Sequence, residues 1–413
     1  MGLKSSIITA DEAWDLVVRH TTPLPVWDCP ISCALHAVLA QAVCADRDMP
    51  EMDRAAMDGF AVRASDLAAI PVSLRISGEV AAGSDKVPIL GAGECVRIFT
   101  GANVPPTADT VVRVEETQSG ASGTAGTITF TTPVTRGQHI FRRGENAIKG
   151  EVLIPAGTRL EPAQIGVCAA VGAVTLPAHR KPRVGIMTTG AELRDAGEAI
   201  GPHELRDSNG PMLTAGLAAE GFDVAVCTRS SDNRDMIRAG LETCLGKCDV
   251  ILVTGGVSVG EYDLVPACVG EAGGTLRYHG IAIQPGRPQL FATFRSGACL
   301  FGLPGNPLSA MVGLQEFVLP ALRRLAGMPV AACRFPLRVR LTADVPGKKQ
   351  IQRYAVARIA WGPTGPEATP VAGKGSADIV SGGRADGAVI VPAGCDVLKA
   401  GTWADFRAWR PLP

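Results

Sequence analysis

The sequence predicts an α/β multi-domain protein. A central three-layer α/β domain with a mostly parallel sheet is flanked by a β-rich N-terminal domain and a small C-terminal β-barrel-like domain. Three observations carry this expectation. From residue 183 to residue 256 apolar strand runs alternate with helical runs, the β-α-β-α-β rhythm of an open sheet covered on both faces. Residues 72–135, and again the chain from "FPLRVRLTADVPG" onward, hold short Val-, Ile- and Thr-rich runs broken by Gly, Pro and Asn. At 413 residues and 46% hydrophobic, the chain is long enough for several cores.

In chain order, Thr9 and Glu12 form a Thr-x-x-Glu capping box ahead of Ala13, Leu16 and Val17, so a helix starts there. "ISCALHAVLAQAVCAD" reads as a second helix, which makes residues 1–49 the helical part of a linker domain. A β-rich domain follows over 50–146. Residues 147–181 read as turn, short helix and strand, the second part of the linker domain. In 182–328, "PRVGIMTTG", "FDVAVCT" and "DVILVTGG" are buried strands, with "MLTAGLAAEG" and "RDMIRAGLETCLG" as helices between them. Residues 329–413 are the C-terminal β domain.

Composition narrows the function classes. Lys+Arg and Asp+Glu are both 40, so no net field favours nucleic acid. No stretch approaches the roughly 20 apolar residues of a membrane span, and the N-terminus lacks a signal-peptide core. The 12 cysteines are scattered, with no C-x-x-C pair, as expected of free thiols in a reducing compartment. The expected location is the cytoplasm.

In an open α/β sheet, ligands bind beyond the carboxyl ends of the strands near the switch point of strand order. Two strand ends look prepared for this: "TTG" at 188–190 with Glu192 behind it, and "TGGVSVGEYD" at 254–263. Thr189, Gly190, Gly255, Gly256 and Ser258 would offer backbone and hydroxyl donors to a phosphate or other oxyanion. Glu261 and Asp263 would hold a divalent cation bridging to it. "FGLPGNPLSAM" adds Pro304, Gly305, Pro307 and Ser309 at a stiff turn and helix start. Asp58 lies on a loop before a short strand, and Thr100 at a strand end. Any one such turn is more often plain structure, and the pairing of two at neighbouring strand ends is what favours a site. A nicotinamide-binding Rossmann domain is excluded, because "TTGAELRDAG" lacks the glycine spacing.

Taken in order, "AMDGFAV", "RIFTGANVP", "FRRGENA", "GEVLIPAGTRL", "GIMTTGAEL", "RDSN", "TGGVSVGEYD", "PGRP", "GLPGNPLSA" and "KGSADIVSGGRADGAVIVPAG" resemble the molybdopterin molybdenumtransferases, the MoeA proteins, along nearly the whole chain. The resemblance implies a molybdopterin-binding-like central domain in a homodimer of four-domain subunits. The β-rich domain of the partner subunit would complete the site. It implies insertion of molybdate into adenylylated molybdopterin, with Mg²⁺, and release of AMP. Asp58, Thr100, Glu192, Asp263 and Arg287 would then serve catalysis, and Ser208 and Asn209 would join the glycine turns in holding the substrate. A molybdopterin adenylyltransferase-type protein and molybdoenzymes or their chaperones would be partners.

The chain departs from the family's usual pattern at several positions. Asn146 stands where an acid is usual, Ala191 replaces an aspartate, and Asp232-Asn233 replaces an Asp-Asp pair. Gly280 and Gln284 replace lysines, while Arg287 keeps a positive charge. The two lysines and the two acids at positions 146 and 233 are absent together, a pattern of retuning. A non-catalytic or specialised relative that binds and delivers molybdopterin or its cofactor is the alternative expectation.

Overall fold

Apolar runs of five or six residues bury completely only between two layers, and β1 (Val184–Thr189) and β3 (Val250–Thr254) are buried at every position. The structure is a computed structural model that describes residues 7–119, 126–258 and 263–410. Around these strands it places α1 (Ala10–His20), α2 (Asn209–Ala219), β2 (Val224–Ser230), α3 (Arg234–Leu245), α4 (Val265–Glu271), β4 (Thr275–His279), β5 (Leu290–Thr293), β6 (Cys299–Leu303), α5 (Pro307–Gly313) and α6 (Leu319–Leu325). The six-stranded sheet has the order β2-β1-β3-β6-β5-β4. Its β2-β1-β3-β6 pairings are parallel, and the β6-β5 and β5-β4 pairings are antiparallel. The sheet is therefore mixed but mostly parallel.

Alternation along the strands sorts the core into two layers. Val184, Ile186, Val250, Leu252 and Phe301 pack with Leu213, Leu217 and Phe317. Met187, Ile251, Val253 and Leu300 pack with Ile237, Leu241 and Val265 on the other face. The connection from β1 goes to β2 on one side and that from its neighbour β3 goes toward β4 on the other, and a crevice opens where they part.

At the opposite end of β3, Asp249 accepts bonds from Arg180 at 2.8 and 2.9 Å and from the Arg183 N–H at 2.8 Å. Burial pushes its carboxyl up, but these donors outweigh it and hold the pKa at about 2. A depressed carboxylate stabilises the fold above its unfolded pKa, near 4, and that stability disappears as pH falls toward 2. Asp249→Asn is expected to cost about 2 kcal/mol at pH 7 and to flatten the acid limb of a denaturation series between pH 5 and 2. An unchanged acid limb would refute this account.

The chain divides into two compact units, one of Met1–Gln41, Ala156–Ile165 and Thr175–Pro413, the other of Ala42–Pro155 and Gly166–Val174. In the first, the C-terminal strands Leu337–Leu341, Gln352–Gly362, Gly365–Pro370, Gly387–Val391 and Trp403–Ala408 close into a five-stranded barrel. The second holds a six-stranded sheet in the order Thr110–Arg113, Gly59–Val62, Glu94–Ile98, Val72–Val80, Thr127–Phe130, Thr117–Ser119.

The capping box at Thr9 forms as expected, with Thr9 N–H donating to Glu12 at 2.8 Å and Glu12 N–H to the Thr9 hydroxyl at 3.2 Å. The second helix expected in residues 1–49 does not form. "ISCALHAVLAQAVCAD" yields a 3₁₀ turn, Ile31–Cys33, and the short strands Val38–Leu39 and Val43–Cys44. His36 adopts a left-handed backbone (φ 62°) that ends any helix, and Leu39 and Ala40 instead donate to the backbone of Thr158 and Pro177. Partners far along the chain override a helical pattern here. All 12 cysteines are free, as expected. Among the described residues no helix is long and apolar enough to cross a membrane.

Candidate functional site

The ends of β1, β3 and β6 are tied to the start of α2 by one buried amide. Asn209 donates through Nδ2 to the Thr254 hydroxyl at 2.7 Å and to the Gly305 carbonyl at 2.8 Å. Thr254 passes its own proton to the Pro304 carbonyl at 3.2 Å, and Thr189 donates to the Thr254 carbonyl at 3.4 Å. With these ends fixed, the chain leaves β3 through Gly255 and Gly256, both left-handed at φ 89° and 62°. A side chain at Gly255 would put Cβ 2.4 Å from the Thr189 carbonyl oxygen. Glycine is demanded there by two strand ends that approach one another, and backbone groups are left along the crevice.

The crevice is a cavity of about 870 Å³. Among the expected residues, Thr189, Gly190, Ser208, Asn209, Gly255, Gly256 and Ser258 line it. So do Pro304, Gly305, Pro307, Glu192 and Asp263. Glu261 lies outside the described residues. Ser309 is not on the wall: α5 begins at Pro307, and its third residue turns into the core, 2% exposed. Arg287 is exposed but also off the wall, which its neighbour Pro288 reaches instead.

Asp58 and Thr100 belong to the other unit. Gly59 pairs with Ile98 in adjacent antiparallel strands, and that register brings residue 58 beside residue 100. The Thr100 N–H and hydroxyl donate to Asp58 Oδ1 at 2.8 and 2.7 Å. These two bonds, the N–H first, hold the carboxyl below its ordinary range.

Sequence reasoning passed over several wall residues. Asp207 lines the cavity and accepts the Gly210 N–H at 2.9 Å, steadying the first turn of α2, and Asp232 accepts the Ala191 N–H at 3.3 Å. Asn306 donates to the Ser376 hydroxyl at 2.9 Å, so the segment carrying Ala377 and Ile379 reaches the same wall. Arg206 lines it as well. The signal was present in "RDSN", which begins at Arg206, and in "KGSADIV".

Two of the departures have a structural explanation. Asn233 caps α3, accepting the Asp235 and Met236 N–H groups, a position that Asn and Asp fill equally well. Gly280 has φ 104° and accepts the Ile8 N–H, so its backbone favours glycine whatever charge is lost. Neither Gly280 nor Gln284 is on the cavity wall.

Glycine backbone at a switch-point crevice with carboxylates on its rim is the kind of site at which α/β enzymes bind phosphorylated or oxyanionic ligands. The MoeA N-terminal region (domains I and II) matches residues 8–172, a probable molybdopterin binding domain matches 185–324, and the MoeA C-terminal region (domain IV) matches 338–409. The chain belongs to the molybdopterin molybdenumtransferase (MoeA) family, enzymes of molybdenum cofactor biosynthesis. It is 33% identical over 374 residues to a molybdopterin molybdenumtransferase of Bacillus subtilis, covering 89% of this chain and 86% of the relative. It is 34% identical over 322 residues to molybdopterin molybdenumtransferase 2 of Mycobacterium tuberculosis, covering 76% and 78%. The crystal structure of the molybdopterin biosynthesis MoeA protein of Pyrococcus horikoshii superposes with a TM-score of 0.81 at 26% identity, over 98% of this chain and 100% of that one.

Proposed function

We propose that this enzyme inserts molybdate into adenylylated molybdopterin and releases AMP, acting as a homodimer in the cytoplasm and passing its product toward molybdoenzymes. The observation that carries the reading is the crevice at β1, β3 and β6, where the backbone of Gly190, Gly255, Gly256 and Gly305 meets the carboxylates of Glu192 and Asp263 in one cavity. A phosphoanhydride is a ligand suited to such fixed dipoles.

Magnesium fits this donor set. Among the described residues no cluster of three or more His, Cys, Asp or Glu forms a closed metal cage. Mg²⁺ is commonly held by one or two carboxylates together with substrate phosphates, and Asp263 with Glu192 supplies that number on the wall. When bound it would neutralise phosphate charge. The protein's own part is positional: Asn209 and Thr254 keep the three strand ends in register, and the glycine turns present backbone dipoles to the ligand. The carrier alternative rested on the missing lysines, and Gly280 and Gln284 are not among the residues that line this cavity.

Purified protein given adenylylated molybdopterin, Mg²⁺ and molybdate should release AMP in a molybdate-dependent manner. Asp263→Asn and Glu192→Gln are each expected to slow that release by on the order of 10²-fold. Tight binding without AMP would overturn the reading and make the chain a carrier.

A further inference from the structure

The charges on the cavity wall are lopsided. Glu192, Asp207, Asp232 and Asp263 are acids, and Arg206 is the one Lys or Arg among the described lining residues. An anionic ligand entering such a wall needs a counter-charge that the protein has not already spent.

Arg206 meets that requirement through the way it is held. Its Nε and Nη2 both donate to the Glu198 carbonyl oxygen, at 3.1 and 2.8 Å. Two bonds to one neutral acceptor fix the guanidinium without cancelling its charge. Among the described residues, three of its five N–H donors have no hydrogen-bond partner. The backbone beneath is set by a short parallel ladder in which Leu193 pairs with Leu205 and Arg194 with Arg206. The neighbouring arginines are neutralised instead: Arg194 pairs with Glu204 at 2.6 Å, and Arg229 pairs with Asp195. Among the described residues, Arg206 therefore combines a held side chain, a charge paired with no carboxylate and a place among the cavity-lining residues, and a planar fork of this kind suits bidentate contact with an oxyanion.

We propose that Arg206 is an oxyanion-binding residue of this site, gripping either a phosphate of the nucleotide-bearing substrate or the molybdate itself. The proposal rests on the transferase reading above and assigns to Arg206 the anchoring charge that the sequence placed on Arg287.

Calorimetric titration of the full chain with AMP, adenosine and sodium molybdate, each in the presence of Mg²⁺, tests it in wild type, Arg206→Ala and Arg206→Lys. Arg206→Ala is expected to weaken AMP or molybdate by about tenfold or more, with adenosine unchanged, and Arg206→Lys to recover part of the loss. A loss confined to AMP assigns the phosphate, and one confined to molybdate assigns the metal oxyanion. Wild-type affinities retained in Arg206→Ala would overturn the proposal and leave the transferase reading intact. An equal loss for adenosine would also overturn it, since the residue would then be shaping the wall. If wild type binds none of the three, the transferase reading itself fails.

Discussion

Glu316→Ala is expected to destabilise the unit containing the α/β sheet and the barrel by about 3–5 kcal/mol, the cost of leaving buried charge unpaired. Glu316 is fully buried in a π-helical turn, Leu314–Val318, inserted between α5 and α6. Arg334 reaches one carboxylate oxygen through Nε at 2.7 Å, and Arg407 reaches the other at 2.8 Å. Both arginines are largely buried, with side chains 11% and 10% exposed. Arg334 continues to Asp11 of α1 at 3.0 Å, and Arg407 donates to the Phe335 carbonyl at 2.6 Å. One carboxylate thus joins the helix after the cavity, the start of the chain and a barrel strand. Its removal strands two guanidiniums where little water reaches them. Glu316→Gln, which keeps the shape and one acceptor, should fall between. Replacing Glu316, Arg334 and Arg407 together by Leu, Met and Leu should cost far less than Glu316→Ala alone, because no unpaired charge remains. Chemical denaturation of the four proteins checks the order. A Glu316→Ala protein within about 1 kcal/mol of wild type would show that solvent or another group compensates the arginines.

That triad also marks where sequence reading stops. In "MVGLQEFVLPAL" a lone Glu among apolar residues has no periodic reason to be buried, and its partners lie 18 and 91 positions away. β1 and β3 were legible because unbroken apolar runs bounded by glycine have few other places to go. The helix expected over "ISCALHAVLAQAVCAD" failed for the converse reason. Its pattern fits a helix, but its backbone finds strand partners at residues 152–158 and 175–179 that local spacing cannot reveal. In the site, strand-end residues were legible from their glycines. Arg206, Asp207 and Asp232 stood in quoted motifs but could not be placed, since a polar residue on a loop carries no periodicity, and only the fold shows which loops share a wall. Ser309 and Arg287 differ in the other direction, lying off the cavity wall. Their motifs border the site, but the helical turn after Pro307 and the turn before Pro288 carry them off its surface.

Gly255→Ala is expected to abolish much of the ligand affinity while leaving a folded protein. At φ 89° an L-residue sits in a left-handed conformation costing about 1–2 kcal/mol. The added Cβ also meets the Thr189 carbonyl oxygen at 2.4 Å and the Thr189 hydroxyl oxygen at 2.7 Å. The nearer obstacle is backbone and cannot rotate away, so β1 and β3 must separate at their ends. That movement pulls on the Thr189–Thr254 bond and on Asn209, whose amide holds the β6 turn. The strain is therefore delivered to the crevice and should reduce AMP affinity by about tenfold or more. Gly305→Ala separates this cause from mere crowding of the wall. It lines the same cavity, but its added Cβ would meet only the Gly255 Cα, at 3.6 Å, an ordinary contact. Its stability should stay near wild type, and its affinity should fall much less than that of Gly255→Ala. Titration with AMP and chemical denaturation of both variants decide the matter. Equal behaviour of the two would mean that the crevice tolerates a shifted β3 end, and that the left-handed glycine is a convenience of the turn with no bearing on binding.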